Sequence, residues 1–231
     1  MSIYWILFIG TALVSWLVQW NLKSKFKKYS KLTLGNASMT GKDIAEMMLR
    51  ENGITDVQVV ASNGMLTDNY NPANHTISLS EGVYGSYSVA AAAVAAHETG
   101  HAIQHAKAYA PLKMRTALVP VITFSSQWVT WILLAGMLLL GNGKGIGFTL
   151  MLIGIILFAT LTLFSFITLP VEIDASRRAL AWLSQAGITN SASYGPAEDA
   201  LKAAAYTYVV AALSSLATLI FYISIFLGGR R

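Results

Sequence analysis

Five consecutive residues, His97-Glu98-Thr99-Gly100-His101, carry the chemistry that the rest of the chain has to serve. On an α-helix, positions i and i+4 share one face and lie about 6 Å apart along the axis. Two imidazoles so placed can hold one Zn²⁺ at roughly 2.0–2.1 Å per bond. Glu98 follows the first of them and leans toward the same side. There it can take a proton from a metal-activated water without being a ligand itself. That arrangement serves metal-assisted hydrolysis of a polarised carbonyl. Helix is expected here, because Val89–Ala96 is rich in alanine, a strong helix former, and the next proline is Pro111.

A hydrolytic zinc usually takes three protein ligands and keeps one position open. The chain has no cysteine, so the third ligand must be a histidine or a carboxylate. His105 is the nearest candidate. On a straight helix it would stand roughly 9 Å along the axis from an ion held by His97 and His101, too far to reach it. The elements around the pair point to a better candidate.

Of the 231 residues, 55% are hydrophobic and only 12% charged, where soluble domains carry about 25% charged. Ile3–Trp20 is uncharged and long enough to span a bilayer, with Trp5, Trp16 and Trp20 as interface anchors. It lacks the basic n-region and small-residue cleavage site of a signal peptide, so it is expected to remain as a transmembrane helix. Lys23, Lys25, Lys27, Lys28 and Lys31 follow, and residues 1–31 form the first segment. No basic groove interleaved with aromatics suggests nucleic acid.

Residues 32–116 are mixed and polar, and read as a small α+β unit. Thr40 is placed to cap a helix through about Asn52, with Ile44, Met47 and Met48 as its apolar stripe and Gly53 as its stop. Val57–Ala61 reads as a strand, Asn63-Gly64 as a turn, and Leu66–Pro72 as a loop. His75–Ser80 alternates as a strand, with Ile77 and Leu79 on one side and His75 a polar strand residue. This strand is read as an edge open to strand addition by an extended peptide. Ser86 or Ser88 opens the helix that bears the histidine pair.

Residues 117–170 read as a transmembrane hairpin, Ala117–Leu140 and Ile146–Pro170 around the turn Gly141–Gly145, with Pro170 ending the second helix. Residues 171–205 form a helix beginning at Val171-Glu172 and then a polar segment broken by Gly187 and Gly195-Pro196. Residues 206–231 are a fourth span closed by Arg230 and Arg231. The five lysines after the first span outweigh those two arginines. The positive-inside rule therefore puts the N-terminus outside and both 32–116 and 171–205 on the cytoplasmic side.

Glu172 thus falls on the same side as His97 and His101 and completes a His₂Glu set with one open position. Asp174 competes with it, but two residues apart on a helix they point about 200° apart, so only one can face the ion. Arg177 and Arg178 pair with these acids, or orient the ligand carboxylate, or bind a substrate carboxylate bidentately. Donors for a developing oxyanion are Tyr84, Tyr87, His105 and Arg177.

The combination of AHETGHAIQHA, the LTDNYNP loop, LSEGVY and LPVEIDASRRAL resembles the YugP-like membrane zinc metallopeptidases of bacteria, over nearly the whole chain. LPVEIDASRRAL is also similar to the second motif of the HtpX and CAAX-protease gluzincins. In that motif a Glu is the third zinc ligand and an Asp four residues on supports the site. Glu172 matches the ligand. Ser176 stands where the Asp would be, which leaves that support absent or supplied by Asp174. The resemblance implies proteolysis, with a protein or peptide as substrate, in a bacterial cell membrane.

The expected fold is mainly α. It is a multi-pass membrane protein with four transmembrane helices and a small α+β zincin-like metalloprotease unit carrying the motif helix. The expected activity is that of a zinc metalloendopeptidase with one Zn²⁺ per chain, held by His97, His101 and Glu172, with Glu98 as general base. An intramembrane metalloprotease is the second reading; Gln104, His105 and Lys107 on the motif helix count against it. A zinc-binding membrane scaffold is the third; it has no need of Glu98. Expected partners are the substrate and the lipid bilayer, with no nucleic acid; a homo-oligomer or a membrane partner is compatible with the sequence.

Overall fold

The computed structural model describes residues 2–34, 39–140 and 145–228. Residues 141–144 of the expected turn, and Arg230 and Arg231, lie outside the described residues. In chain order the elements are α1 (Ser2–Tyr29), α2 (Gly41–Glu51), β1 (Gln58–Ser62), β2 (Asn69–Asn71), β3 (Thr76–Ser80), α3 (Glu81–Tyr84), α4 (Val89–Ala106), α5 (Ala110–Leu140), α6 (Gly145–Gln185) and α7 (Tyr194–Gly228). Among the described residues, α1, α5, α6 and α7 are long and apolar enough to cross a membrane. The chain divides into two compact units: Met1–Trp16, Met114–Leu169 and Tyr208–Arg231 in one, Leu17–Lys113 and Pro170–Thr207 in the other.

The described residues of the first unit are helical. Val129, Leu133, Met151 and Ile155 are buried between α5 and α6. Gly154 lies so close to α5 that a Cβ there would come within 2.6 Å of the Leu133 side chain. Small residues at crossings of this kind let helices approach where lipid provides no hydrophobic drive. The Ser125 and Thr160 hydroxyls, 3.2 Å apart, add a hydrogen bond across the same pair.

The second unit contains every described element of mixed polarity. Thr40 caps α2 in a reciprocal box: the Asp43 N–H donates to the Thr40 hydroxyl, and the Thr40 N–H donates to the Asp43 carboxylate. That hydrogen bonding holds the Asp43 carboxyl below its usual range. Ile44, Ala45, Met48 and Leu49 form the buried stripe, and Gly53 follows at φ +70, a left-handed stop. The sheet runs β1-β3-β2, with β1 parallel and β2 antiparallel to β3. Ile77 and Leu79 of β3 are fully buried against α2 and α4 residues in one core. Ser88 is the residue that opens α4, its hydroxyl accepting from the Ala91 N–H at 3.2 Å.

Several expectations are corrected. The LTDNYNP stretch contains β2, because Asp68 fastens it: the Ser80 N–H and hydroxyl donate to its carboxylate at 2.7 and 3.0 Å. The strand at 76–80 is therefore the middle of the sheet and no edge; its backbone is occupied on both sides. Pro170 ends no helix: α6 runs through it to Gln185. One proline removes one i→i−4 hydrogen bond. The stripe Val171, Ala175, Ala179 and Leu183, all fully buried, holds the following turns in helix regardless. Likewise Gly195-Pro196 does not break the chain, since both lie in the first turn of α7, where proline is tolerated. The basic flank is helical too, with α1 continuing to Tyr29, and α5 begins at Ala110 and passes through Pro120.

The approach of α4 to α6 is set by one residue. A Cβ on Gly100 would stand 2.7 Å from the Ala175 carbonyl oxygen. Gly100→Ala is expected to cost about 1–3 kcal/mol by overpacking, read as a lower unfolding midpoint in detergent. Gly82→Ala, where a Cβ meets nothing within 4 Å, is the matched control and should shift the midpoint far less.

Candidate metal centre

The histidine pair lies in the second half of α4, and Glu172 lies in the part of α6 that Gly100 admits. Helical spacing puts His97 and His101 on one face, their rings edge to face with centroids 4.7 Å apart. Glu172 Oε2 is 3.3 Å from His97 Nε2 and 3.5 Å from His101 Nε2. Among the described residues, His97, His101 and Glu172 are the one group of three or more such side chains that could hold a metal ion, with one ligand atom from each, all within 4.8 Å of one another. His101 and Glu172 are buried and His97 nearly so. Glu98, beside them, is buried as well, and burial pushes its carboxyl up. A carboxylate with a raised pKa is a better proton acceptor at neutral pH.

Each imidazole is fixed from behind. Gln104 Nε2 donates to the Val171 carbonyl and to Asp174 Oδ2, both at 2.8 Å. Both of those partners can only accept, so the other atom of the amide, Oε1, is the one that faces His101 Nδ1, at 3.0 Å. An amide oxygen accepts, so Nδ1 carries a proton, which leaves Nε2 as the atom that faces Glu172. Ser176 Oγ stands 3.1 Å from His97 Nδ1 and plays the corresponding part for the other ring. Two imidazole nitrogens and a carboxylate oxygen then face one another, and a cation between them would be held by all three. The donor set of two nitrogens and one oxygen suits Zn²⁺, so the residues fit the ion.

Asp174 does not share the cluster with Glu172; it accepts from Arg178 Nε at 2.6 Å and acts on His101 through Gln104. Arg178 also lies over the Tyr109 ring. Beside this link from Asp174, position 176 itself touches the cluster. Ser176 contacts His97 directly, because four residues after Glu172 it lies on the same face of α6. Gln104 is the residue that sequence reasoning treated only as polar. Its spacing of three from His101 was the available signal, since i and i+3 are neighbours on a helix. His105 is exposed and pairs elsewhere, its Nδ1 2.8 Å from the Tyr70 hydroxyl. Arg177 is exposed, Tyr84 packs under the Lys42 ammonium, and Tyr87 is exposed. None of these four belongs to the cluster that can hold a metal ion.

Comparison with known proteins gives two matches. The model of a family described as "Putative neutral zinc metallopeptidase" matches residues 4–227. A protein of Bacillus subtilis (strain 168), described as "Putative membrane protease YugP", is 42% identical over 217 residues, covering 94% of this chain and 93% of that protein. No solved structure matches.

Residues that hold ligands from behind typically set metal affinity by 10–100-fold. Gln104→Ala and Ser176→Ala are each expected to weaken zinc binding by that order, measured by competition with a chromophoric chelator. Glu172→Gln is expected to lose tightly held zinc. Full retention in Glu172→Gln, with loss in Asp174→Asn, would reverse the roles of the two acids.

Proposed function

Because the chain belongs to the "Putative neutral zinc metallopeptidase" family, we propose that it is a membrane zinc metalloendopeptidase whose metal is held by His97, His101 and Glu172. One observation carries this reading: the convergence of those three side chains on one point beside the buried carboxylate of Glu98. A scaffold that merely stored zinc would not need Glu98 there. The fold is read as a zincin-like unit, residues 32–116, completed by the third-ligand helix and polar segment, residues 171–205. Residues 1–31, 117–170 and 206–231 supply four transmembrane spans.

Bound in this cluster, zinc would supply Lewis acidity to the scissile carbonyl and acidify the attacking water. Glu98 accepts the proton of that water as the new carbon–oxygen bond forms. It then delivers the proton to the amide nitrogen as the peptide bond breaks. Burial serves both steps, since it raises the basicity of the carboxylate and excludes competing water. Gln104 and Ser176 hold the imidazole rings so that neither has to reorient between steps. The substrate is a protein or peptide at the membrane. A homo-oligomer or a further membrane partner is compatible with this arrangement.

Glu98→Gln is expected to keep its zinc and lose 10²–10⁴-fold in cleavage rate. The measurement compares both proteins on unfolded and membrane-protein substrates in detergent, with metal content determined on the same samples. A zinc-loaded variant that cleaves at the wild-type rate excludes Glu98 as the base.

The orientation follows from the lysines after the first span: N-terminus outside, zincin-like unit and third-ligand helix at the cytoplasmic face of the cell membrane. The chain has no cysteine, so single cysteines at Asn63 and Ser191, both exposed, report their sides cleanly. Both should be shielded from impermeant thiol reagents in intact cells and labelled after permeabilisation. Labelling of both in intact cells inverts the orientation.

A further inference from the structure

The chain has four histidines, and they form two pairs. His97 and His101 belong to the centre described above. His75 and His105 make the other, with ring centroids 5.4 Å apart and planes at 89°. The first pair has centroids 4.7 Å apart and planes at 84°. Two imidazoles on one tetrahedral ion, with nitrogen–metal bonds of roughly 2.0–2.1 Å, have ring centroids about 5 Å apart. Both pairs stand near that spacing.

Each ring of the second pair is also held from behind, as in the first. His75 Nδ1 lies 2.6 Å from the Asp56 carboxylate. A carboxylate can only accept, so the proton is on Nδ1 and Nε2 is the atom left to ligate. A histidine whose Nδ1–H is taken by a carboxylate is the usual form of a metal-binding histidine. His105 Nδ1 is 2.8 Å from the Tyr70 hydroxyl, whose oxygen can accept in the same way. Tyr70 is itself fixed, on β2 and against the core. His75 has a φ of +51, an uncommon left-handed conformation for a residue with a side chain, at the point where the chain turns into β3. Such outliers cluster where a side chain has a task.

We propose that His75 and His105 form a second binding site for a divalent transition metal. The ion is held through the two Nε2 atoms, with Asp56 and Tyr70 as orienting partners and water in the remaining positions. Imidazole ligation favours Zn²⁺, Ni²⁺ or Cu²⁺ over Mg²⁺ or Ca²⁺. With two protein ligands and exposed rings, the site exchanges its ion more readily than a buried three-ligand cluster. It involves neither Glu98 nor Glu172 and does not depend on the proposed hydrolysis.

The test uses the full chain purified in detergent and equilibrated with free Zn²⁺, with bound ions counted by mass spectrometry of the metal. Wild type should take up two ions per chain and His75→Ala and His105→Ala one each, while Glu172→Gln keeps the exchangeable ion. Asp56→Asn leaves both imidazoles in place and should weaken only the exchangeable ion, by 10–100-fold. A parallel Cu²⁺ titration should give an electron paramagnetic resonance signal with nitrogen coupling that both histidine variants lose. Uptake of a single ion by wild type, wild-type uptake by either histidine variant, or unchanged affinity in Asp56→Asn overturns the assignment.

Discussion

The close approach of α4 and α6 at Gly100 and Ala175 is the constraint on which the site rests. A metal cluster contributed by two helices needs their backbones near enough for short side chains to meet. Here the meeting residues are small on both sides: alanines fill the buried face of α4, while Ala175 and Ala179 are fully buried on α6. With larger residues at those positions the axes would separate by the width of a side chain. Glu172 would then no longer fall between the two imidazoles. The motif supplies the histidines, and the small residues between and opposite them supply the third ligand.

Close packing also imposes an electrostatic requirement. Burying Glu98, His101 and Glu172 together is costly unless every polar atom has a use. The chain answers with a graded network. Gln104 spends both amide hydrogens on acceptors of α6, which forces its oxygen onto His101, and Asp174 in turn is balanced by Arg178 near the surface. Charge is thus passed outward from the buried ligands to an arginine partly in contact with solvent.

Much of this was legible in the sequence because it depends on local spacing. The pair at i and i+4, the capping box at Thr40, the alternation around Ile77 and Leu79, and the uncharged spans are each a property of a short window. Helix geometry showed that only one of Glu172 and Asp174 can face the ion, and it removed His105 from the first cluster. What was not legible depends on partners distant in sequence. Pro170 looks like a stop until the buried stripe beyond it is known. The strand in LTDNYNP exists because Asp68 is fastened to Ser80. Gln104 becomes part of the site only when Val171 and Asp174 come to meet it.

The alanine face of α4 has a further consequence, in conformational entropy. Alanine has no side-chain rotamers to lose on folding, whereas a buried long side chain gives up to roughly 1.5–2 kcal/mol of rotamer freedom. The helix bearing the histidines is therefore ordered at little entropic cost outside its polar residues. Its cohesion comes from van der Waals contact of these alanines with the larger side chains of the core, Ile44, Met48 and Leu79 among them. Where α4 meets α6, directional contacts tie the two helices: the hydrogen bonds of Gln104, the contact of Ser176 with His97 and the notch at Gly100. The polar residues that orient the ligands are then also the pins that keep the two helices from slipping past each other.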